Sequence, residues 1–507
     1  MAPTIKHASL NAVLKGVSAA APGLLAFRGI RYGRVKARFA APEPVDDWNG
    51  AEIDCQQYGP RCPQIPVGVG HLLRIPEDHV FAHEPEDEFE CLNLDVVVPK
   101  EAAGDGSKEA NLPVLIWVHG GSQVMTFGSA ASKVGDPTKI VADSVSMGKP
   151  IIVVSIQYRL NVFAYGDGKG ERNLALQDQR LAIDWVVKHI AGFGGDGKNI
   201  TLMGESAGGI YAHAQVVLNA PIKRVILMSG SLYLSFPLPS ARGQAMLDAV
   251  EKKLKEKGYA SLKEAPAEAL VQAQAEANVV SLWLQDGPEF QDWTQRIGQV
   301  EELLVGDVEY ESVLWRNGIE QMTPEAIVQA FEQAGDAAKD LRKLYHAGTR
   351  PTPTKLAALD FVNDWKFALP VRLLERLWKT SGKTAYRYTF DQPNPWQRSA
   401  RAHHALDLVL LFGGLDADYL AELDPGAAAV GAEMRARWVR FVNGMAPWSP
   451  ASTAFAFGPL GQCGEIDAGG LAARRRERHL EFLEKVEPAK LNAALGGLVA
   501  GRISLLN

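Results

Sequence analysis

Four short apolar runs constrain the fold of this chain more than any other feature. They are Val114-Leu115-Ile116-Trp117-Val118, Ile151-Ile152-Val153-Val154-Ser155-Ile156, Ile200-Thr201-Leu202-Met203 and Val225-Ile226-Leu227-Met228. Each is rich in β-branched residues, nearly continuous, and bounded by polar or glycine-rich sequence. A strand with one wet face alternates apolar and polar residues; unbroken runs mark strands buried on both faces. Between two of them lies a helical pattern, Leu174 to Ile190, with Leu176, Leu181, Ile183, Trp185, Val186 and Ile190 at its apolar positions. Strand–helix alternation predicts an α/β fold, a large and mostly parallel central sheet flanked by helices. A later strand is expected at Thr384-Ala385-Tyr386-Arg387-Tyr388-Thr389-Phe390.

Residues 232–300 are rich in Ala, Glu, Gln and Lys and read as helices, and residues 320–380 are also largely helical. Strand signals resume afterwards. The expectation is therefore one domain over 1–507, with helical insertions at about 232–380 set above the sheet. The net charge of −6 gives no reason to expect a nucleic-acid or anionic-membrane partner. The one dense basic cluster, Arg474-Arg475-Arg476-Glu477-Arg478, reads as a solvated helix face, and Glu84-Pro85-Glu86-Asp87-Glu88 as a solvated loop. No run of about 18 apolar residues exists, so no membrane span is expected. The opening MAPTIKHASLNAVLKGV lacks the apolar core of a secretory signal, which makes an intracellular location the default expectation. Cys55, Cys62, Cys91 and Cys463 are too few for a disulfide scaffold and lack the spacing of a structural zinc site. No metal or cofactor is expected, and the chain is expected to be a monomer or a weak homo-oligomer.

After the third run comes Gly204-Glu205-Ser206-Ala207-Gly208, a G-x-S-x-G pentapeptide. In a glycine-rich chain of this length, such a match arises by chance in roughly one chain in five. Context decides. A serine hydroxyl attacks an ester only when exposed, aligned and next to a base. A tight turn from strand into helix supplies exposure and alignment, and the helix N-terminus brings unpaired N–H groups to the site. Strand, turn and helix follow one another here in that order. A tetrahedral intermediate also needs oxyanion donors, one from the residue after the nucleophile and others from a glycine-rich loop after an earlier strand. The first run leads straight into His119-Gly120-Gly121-Ser122.

This architecture places an acid and then a histidine after the serine. Of eleven histidines, His213, His346, His403, His404 and His479 follow Ser206. His213 lies two turns along the elbow helix, His346 in a helical stretch and His479 in the basic tail. His403 and His404 follow a loop after the late strand, where the base belongs, and spacing does not choose between them. Asp307, Glu309 and Glu311 follow the short apolar run Leu303-Leu304-Val305 and are equally open as the acid.

The chain resembles the type-B carboxylesterase family, α/β-hydrolase-fold serine esterases, along nearly its whole length. Phe27-Arg28-Gly29-Ile30-Arg31-Tyr32-Gly33, Arg38-Phe39 and Glu90-Cys91-Leu92-Asn93-Leu94-Asp95-Val96 resemble its N-terminal elements. Asp178 to Val186, Phe193-Gly194-Gly195-Asp196 and Gly204 to Gly209 resemble its most specific block, and Arg435 to Gly444 its late pattern. The resemblance implies His404 as base, because His404-Ala405-Leu406-Asp407 through Phe412-Gly413 fits the histidine motif. It implies Glu311 as acid, with Ser312 where the family has glycine and Glu309 as the fallback. It implies an oxyanion hole of Gly121, Ser122 and Ala207, with Ser122 in place of a third glycine and a narrower acyl pocket. It implies a disulfide between Cys62 and Cys91, and places Ser229 in hydrogen-bonding reach of the triad acid. Cys55 and Cys463 have no such counterpart and read as buried thiols.

The activity so implied is hydrolysis of a small-molecule carboxylic ester through an acyl-Ser206 intermediate. Lipase and acyltransferase activity are alternatives, and a non-catalytic binding protein is a more distant one. The helical insertions are expected to form the substrate gorge, with Trp283, Trp293 and Trp315 as liners.

Overall fold

The computed structural model describes residues 2–76, 81–103, 111–279, 284–415 and 417–503. Its centre is an eleven-stranded sheet. In chain order the strands are β1 (Val17–Ser18), β2 (Leu24–Arg31), β3 (Asn93–Pro99), β4 (Leu112–Val118), β5 (Ile152–Ile156), β6 (Gly195–Glu205), β7 (Arg224–Met228), β8 (Glu302–Val308), β9 (Thr384–Phe390), β10 (Ala454–Phe457) and β11 (Cys463–Ile466). Across the sheet the order is β11-β10-β9-β8-β7-β6-β4-β5-β3-β2-β1. The run from β10 to β5 is parallel throughout. Antiparallel strands complete both edges. All four apolar runs and the late strand lie in the parallel part, so the α/β-hydrolase expectation is met.

The alternation missing from the sequence is present in space. Ile116, Leu202, Val225 and Leu303 join one buried apolar cluster, while their neighbours Leu115, Met203, Ile226 and Leu304 join another. Successive side chains point to opposite faces of a strand, so two apolar faces need an apolar residue at every position. Helix α1 (Leu174–His189) and helix α2 (Ala207–Val217) cover one of these faces. Asp178 on α1 holds Arg159, beyond β5, in a bidentate ion pair of 2.6 and 2.8 Å with both side chains almost fully buried. That pair anchors the chain where it leaves the sheet.

Between β7 and β9 the chain is mostly helical, as expected, but β8 interrupts it. A third apolar cluster there includes Phe331, Phe361, Phe367 and Leu369. Helix α3 (Pro351–Asn363) runs into a π-helical turn, Asp364–Ala368, and then into helix α4 (Leu369–Thr380). Among the described residues, no helix is long and apolar enough to cross a membrane.

Three expectations need correction. The basic run is not a solvated face. Arg475 is buried between Asp307 and Asp391, at 3.0 and 2.8 Å, and Arg476 pairs with Asp364 at 2.8 Å. Read alone, a charge run shows no partners; here the carboxylates come from β8, the end of β9 and the π-turn. The acidic segment is also partly inward: Glu84 and Glu88 are buried, and Arg38 grips Glu88 through Nε at 2.6 Å. Finally, the Cys62–Cys91 disulfide is not formed. All four cysteines are free. Cys62 and Cys91 are buried together, and Leu160 N donates to Cys62 Sγ at 3.2 Å. A hydrogen bond with Cys62, together with burial, pushes the Cys91 thiol well above its usual range. Cys55 is buried as expected, and Cys463 is half-buried.

Candidate active site

Parallel strands bring their carboxyl ends to one edge of the sheet, where α/β proteins place their ligand crevices. Gly204 on β6 is in register with Val118 on β4 and with Leu227 on β7. Leu227 is in turn level with Val305 on β8, and Val305 with Arg387 on β9. The segments that follow these five strands therefore leave the sheet side by side.

Ser206 stands between β6 and α2 with φ 54° and ψ −120°. A non-glycine residue there is strained, and the strain is held by its surroundings. Ser206 N donates to Met228 O at 2.9 Å, and Ile210 N donates to Ser206 O at 3.0 Å, fixing both sides of the turn. The flanking glycines allow the strand and helix to touch: a Cβ on Gly204 would lie 2.2 Å from Gly208 O. The serine is therefore presented at the head of α2 by backbone geometry alone.

The loop after β4 lies alongside. Gly121 has φ +109°, and a Cβ there would lie 2.1 Å from Met125 O, so only glycine fits. Ser122 follows with φ 54°. Among the described residues, the N–H groups of Gly121, Ser122 and Ala207 donate to no protein acceptor. His119 is buried and fixes the loop: its Nδ1 is 2.9 Å from Gly120 O, and its ring stacks on Tyr158 at 4.3 Å. Burial pushes His119 down to about 4, so it is neutral and structural.

The carboxylate candidates separate cleanly. Asp307 is buried against Arg475. Glu309 is partly exposed and pairs with Arg401 at 2.6 Å. Glu311 is fully buried and reaches His404: its Oε2 lies 2.5 Å from Nδ1. Val308 N donates to Glu311 Oε1 at 2.9 Å, and Glu311 N donates to Asn363 Oδ1 at 2.8 Å. The loops of Glu311 and His404 are also joined directly, by His404 N donating to Tyr310 O at 3.2 Å.

The histidines separate too. His403 turns away, with Nε2 2.8 Å from Asn394 Nδ2, and burial pushes it down to about 4. His213 Nδ1 accepts from Leu232 N at 3.2 Å. His479 bonds to Leu344 O, and His346 is exposed. His404 alone lines the cavity that Ser206 lines.

Glu205 completes the ionisable set. Its Oε1 lies 3.2 Å from His404 Nε2, and both oxygens are buried without a hydrogen-bond partner among the described residues. Burial raises Glu205 to about 8. Burial alone would lower His404, but the charges of Glu205, Glu311 and Asp407 and the bond to Glu311 outweigh it and raise the imidazole to about 9. Asp407 is itself buried and raised to about 7, and accepts from Tyr388 Oη at 3.1 Å.

The cavity over Ser206 has a volume of about 40 Å³. Its remaining walls are Leu72 and Leu73 from the short helix Val69–Leu73, Met125 and Phe127 beyond the glycine loop, and Val313 and Leu314 beyond Glu311. Of the expected tryptophan lining, Trp293 and Trp315 do not reach this cavity. Trp293 packs against Tyr233 and His213, and Trp315 against Phe367. Trp283 lies outside the described residues. Short turns at the strand ends, not the long helices, form the walls. Ser229 is also placed differently from expectation: its buried Oγ has no hydrogen-bond partner among the described residues. Asn363, which braces Glu311, carries no sequence signal, because it arrives from α3, 52 residues later. Among the described residues, no cluster of His, Cys, Asp or Glu could hold a metal ion.

The model of the carboxylesterase family matches residues 11–457. The chain belongs to the carboxylesterase family. Lipase 3 of Yarrowia lipolytica is 30% identical over 520 residues, covering 98% of each chain. A shorter match, 36% identical over 223 residues and 42% of this chain, is to the inactive carboxylesterase-like protein VdtD of Byssochlamys spectabilis. Among solved structures, carboxylesterase EST55 of Geobacillus stearothermophilus shares the fold, with a TM-score of 0.71, 24% identity, and coverage of 92% of this chain and 98% of the other.

Proposed function

We propose that this member of the carboxylesterase family is a serine hydrolase of carboxylic esters. The observation that carries the reading is the convergence of Glu311, His404 and Ser206 beside three unpaired backbone N–H groups. In this mechanism Ser206 Oγ attacks the ester carbonyl as His404 Nε2 takes its proton. Glu311 holds Nδ1–H and stabilises the imidazolium. The N–H groups of Gly121, Ser122 and Ala207 receive the oxyanion. The alcohol leaves with the proton from His404, and water then releases the acid by the same route. His404 Nε2 stands 3.2 Å from Glu205 Oε1 and lines the same cavity as Ser206, and the reaction requires it to reach the Ser206 hydroxyl. Catalytic hydrogen bonds commonly tighten only once substrate is bound.

A lipase reading is favoured by the relatives named as lipases, which include Lipase 3 and Lipase 1 of Yarrowia lipolytica. The small volume of the cavity, about 40 Å³, favours small, soluble esters instead. An ester panel separates the two. We expect p-nitrophenyl acetate and butyrate to be turned over in solution, with no jump in rate when an emulsion forms. A rate that rises sharply at an oil interface supports the lipase. The inactive relative makes a third outcome concrete: no turnover of any ester, soluble or emulsified, would remove the hydrolase reading.

A further inference from the structure

Behind the catalytic cavity lies a second, smaller one, lined by Ser229, Gly230, Ser231, Gly306, Lys366 and Phe367 among others. Two of its polar groups are unspent. Ser229 is 1% exposed, and its Oγ meets no hydrogen-bond partner among the described residues. Lys366 is half-buried on the π-turn. Its ammonium donates to Leu234 O at 2.9 Å and Tyr233 O at 3.4 Å, and stands 5.8 Å from the centre of the Phe236 ring. Three N–H bonds and two carbonyls leave one donor over. Among the described residues no carboxylate pairs with this lysine, and burial lowers it to about 8. A half-buried ammonium that meets only neutral carbonyl acceptors has no counter-charge beside it among the described residues.

The position of this charge relates it to the reaction. Phe367 lines the second cavity, and its ring also packs edge-on against His404, at 5.7 Å between centroids. Gly230 touches the backbone of Ser206: a Cβ on it would lie 2.1 Å from Ser206 O. The two cavities are thus neighbours, with the Phe367 ring and the His404 imidazole between them. With the ring as it stands, the second holds about 10 Å³, room for a single water. The ring sits on a π-helical turn, an irregularity that recurs at functional sites.

We propose that Lys366 and Ser229 form a binding site for the distal carboxylate of an acyl chain, reached when the Phe367 ring turns aside. The preferred acyl donors are then monoesters of short dicarboxylic acids. The carboxylate accepts the spare N–H of Lys366 and the Ser229 hydroxyl, two charge-assisted bonds. The acyl-donor role rests on the ester-hydrolase reading; the carboxylate site does not.

Two measurements test it separately. In the first, kcat/KM is compared for mono-p-nitrophenyl esters of succinic, glutaric and adipic acid against p-nitrophenyl butyrate. For at least one acid, the ratio of half-ester to butyrate should fall about tenfold or more in Lys366→Met, and stay near the parent value in Lys366→Arg. In the second, the Ser206→Ala protein is titrated calorimetrically with monomethyl succinate, glutarate and adipate. Binding of at least one should weaken about tenfold or more when Lys366→Met is added. Melting curves confirm that each variant is folded. If no ester is turned over but lysine-dependent binding is present, the hydrolase reading fails and the carboxylate site stands. If ratio and binding are both unmoved in folded Lys366→Met, the lysine is a brace for the loop at Tyr233 and the proposal is overturned.

Discussion

Glu311 Oε2 lies 2.5 Å from His404 Nδ1, while Glu309, two residues earlier, points to the surface and Arg401. The two carboxylates therefore answer differently to the same change. Glu311→Gln keeps the shape but removes the charge that orients the imidazole and balances its positive form. We expect kcat to fall by roughly 10³–10⁴-fold, with little change in KM. Glu309→Gln should leave kcat within about twofold, since an exposed pair contributes about 1 kcal/mol or less. Steady-state kinetics of both variants on one soluble ester checks this, and a reversed order of effects would contradict the assignment.

The pH profile reports on Glu205. His404 acts as a base only when neutral, and its neighbours raise it to about 9. The neutral fraction grows with pH, so kcat/KM should climb through the alkaline range. Of the influences that raise His404, the charge of Glu205 is the largest. Glu205→Gln should therefore shift the rising limb to lower pH. A limb that stays in place would show that Glu205 does not act on His404.

Ser122 holds φ 54° at the oxyanion loop, where glycine would be unstrained. A left-handed conformation costs a non-glycine residue roughly 1–2 kcal/mol. Ser122→Gly should raise the melting temperature and open the cavity wall. Esters with branched acyl groups should gain in kcat/KM relative to acetate. A lower melting temperature with an unchanged acyl preference would mean that the side chain braces the loop.

Arg475 is held between Asp307 and Asp391 with its side chain 3% exposed. Arg475→Met would leave the buried Asp307 carboxylate without its ion-pair partner, while Asp391 keeps Arg474 at 2.7 Å. Breaking a buried pair from one side costs about 3–5 kcal/mol. Arg478, three residues on, is exposed, and Arg478→Ala should stay within about 0.5 kcal/mol of the parent. Urea denaturation of the two variants compares them directly.

Much of this fold is legible in the sequence. The parallel strands announced themselves because burial on both faces removes the polar residues from Val114–Val118 and Val225–Met228. The elbow was legible because a sharp turn needs small residues at fixed offsets around Ser206. The antiparallel edges, such as Cys463–Ile466, were not, since short half-exposed strands carry little pattern. Choosing Glu311 over Asp307 and Glu309 from the residues alone was also out of reach. Three carboxylates at alternate positions look alike until Arg475 claims the first and Arg401 the second. The same blindness to distant partners made the Arg474–Arg478 run look solvated. Lys366 gave no signal at all, because its meaning depends on which cavity the π-turn faces.

Ser206, activated by His404 and Glu311, is the proposed nucleophile. Its most direct test is stoichiometric labelling with a fluorophosphonate, read by intact mass and by peptide mapping. The account predicts one adduct per chain, on Ser206, none on Ser206→Ala, and much slower labelling of Glu311→Gln. A folded protein that stays unlabelled, or is labelled equally well as Ser206→Ala, would contradict it.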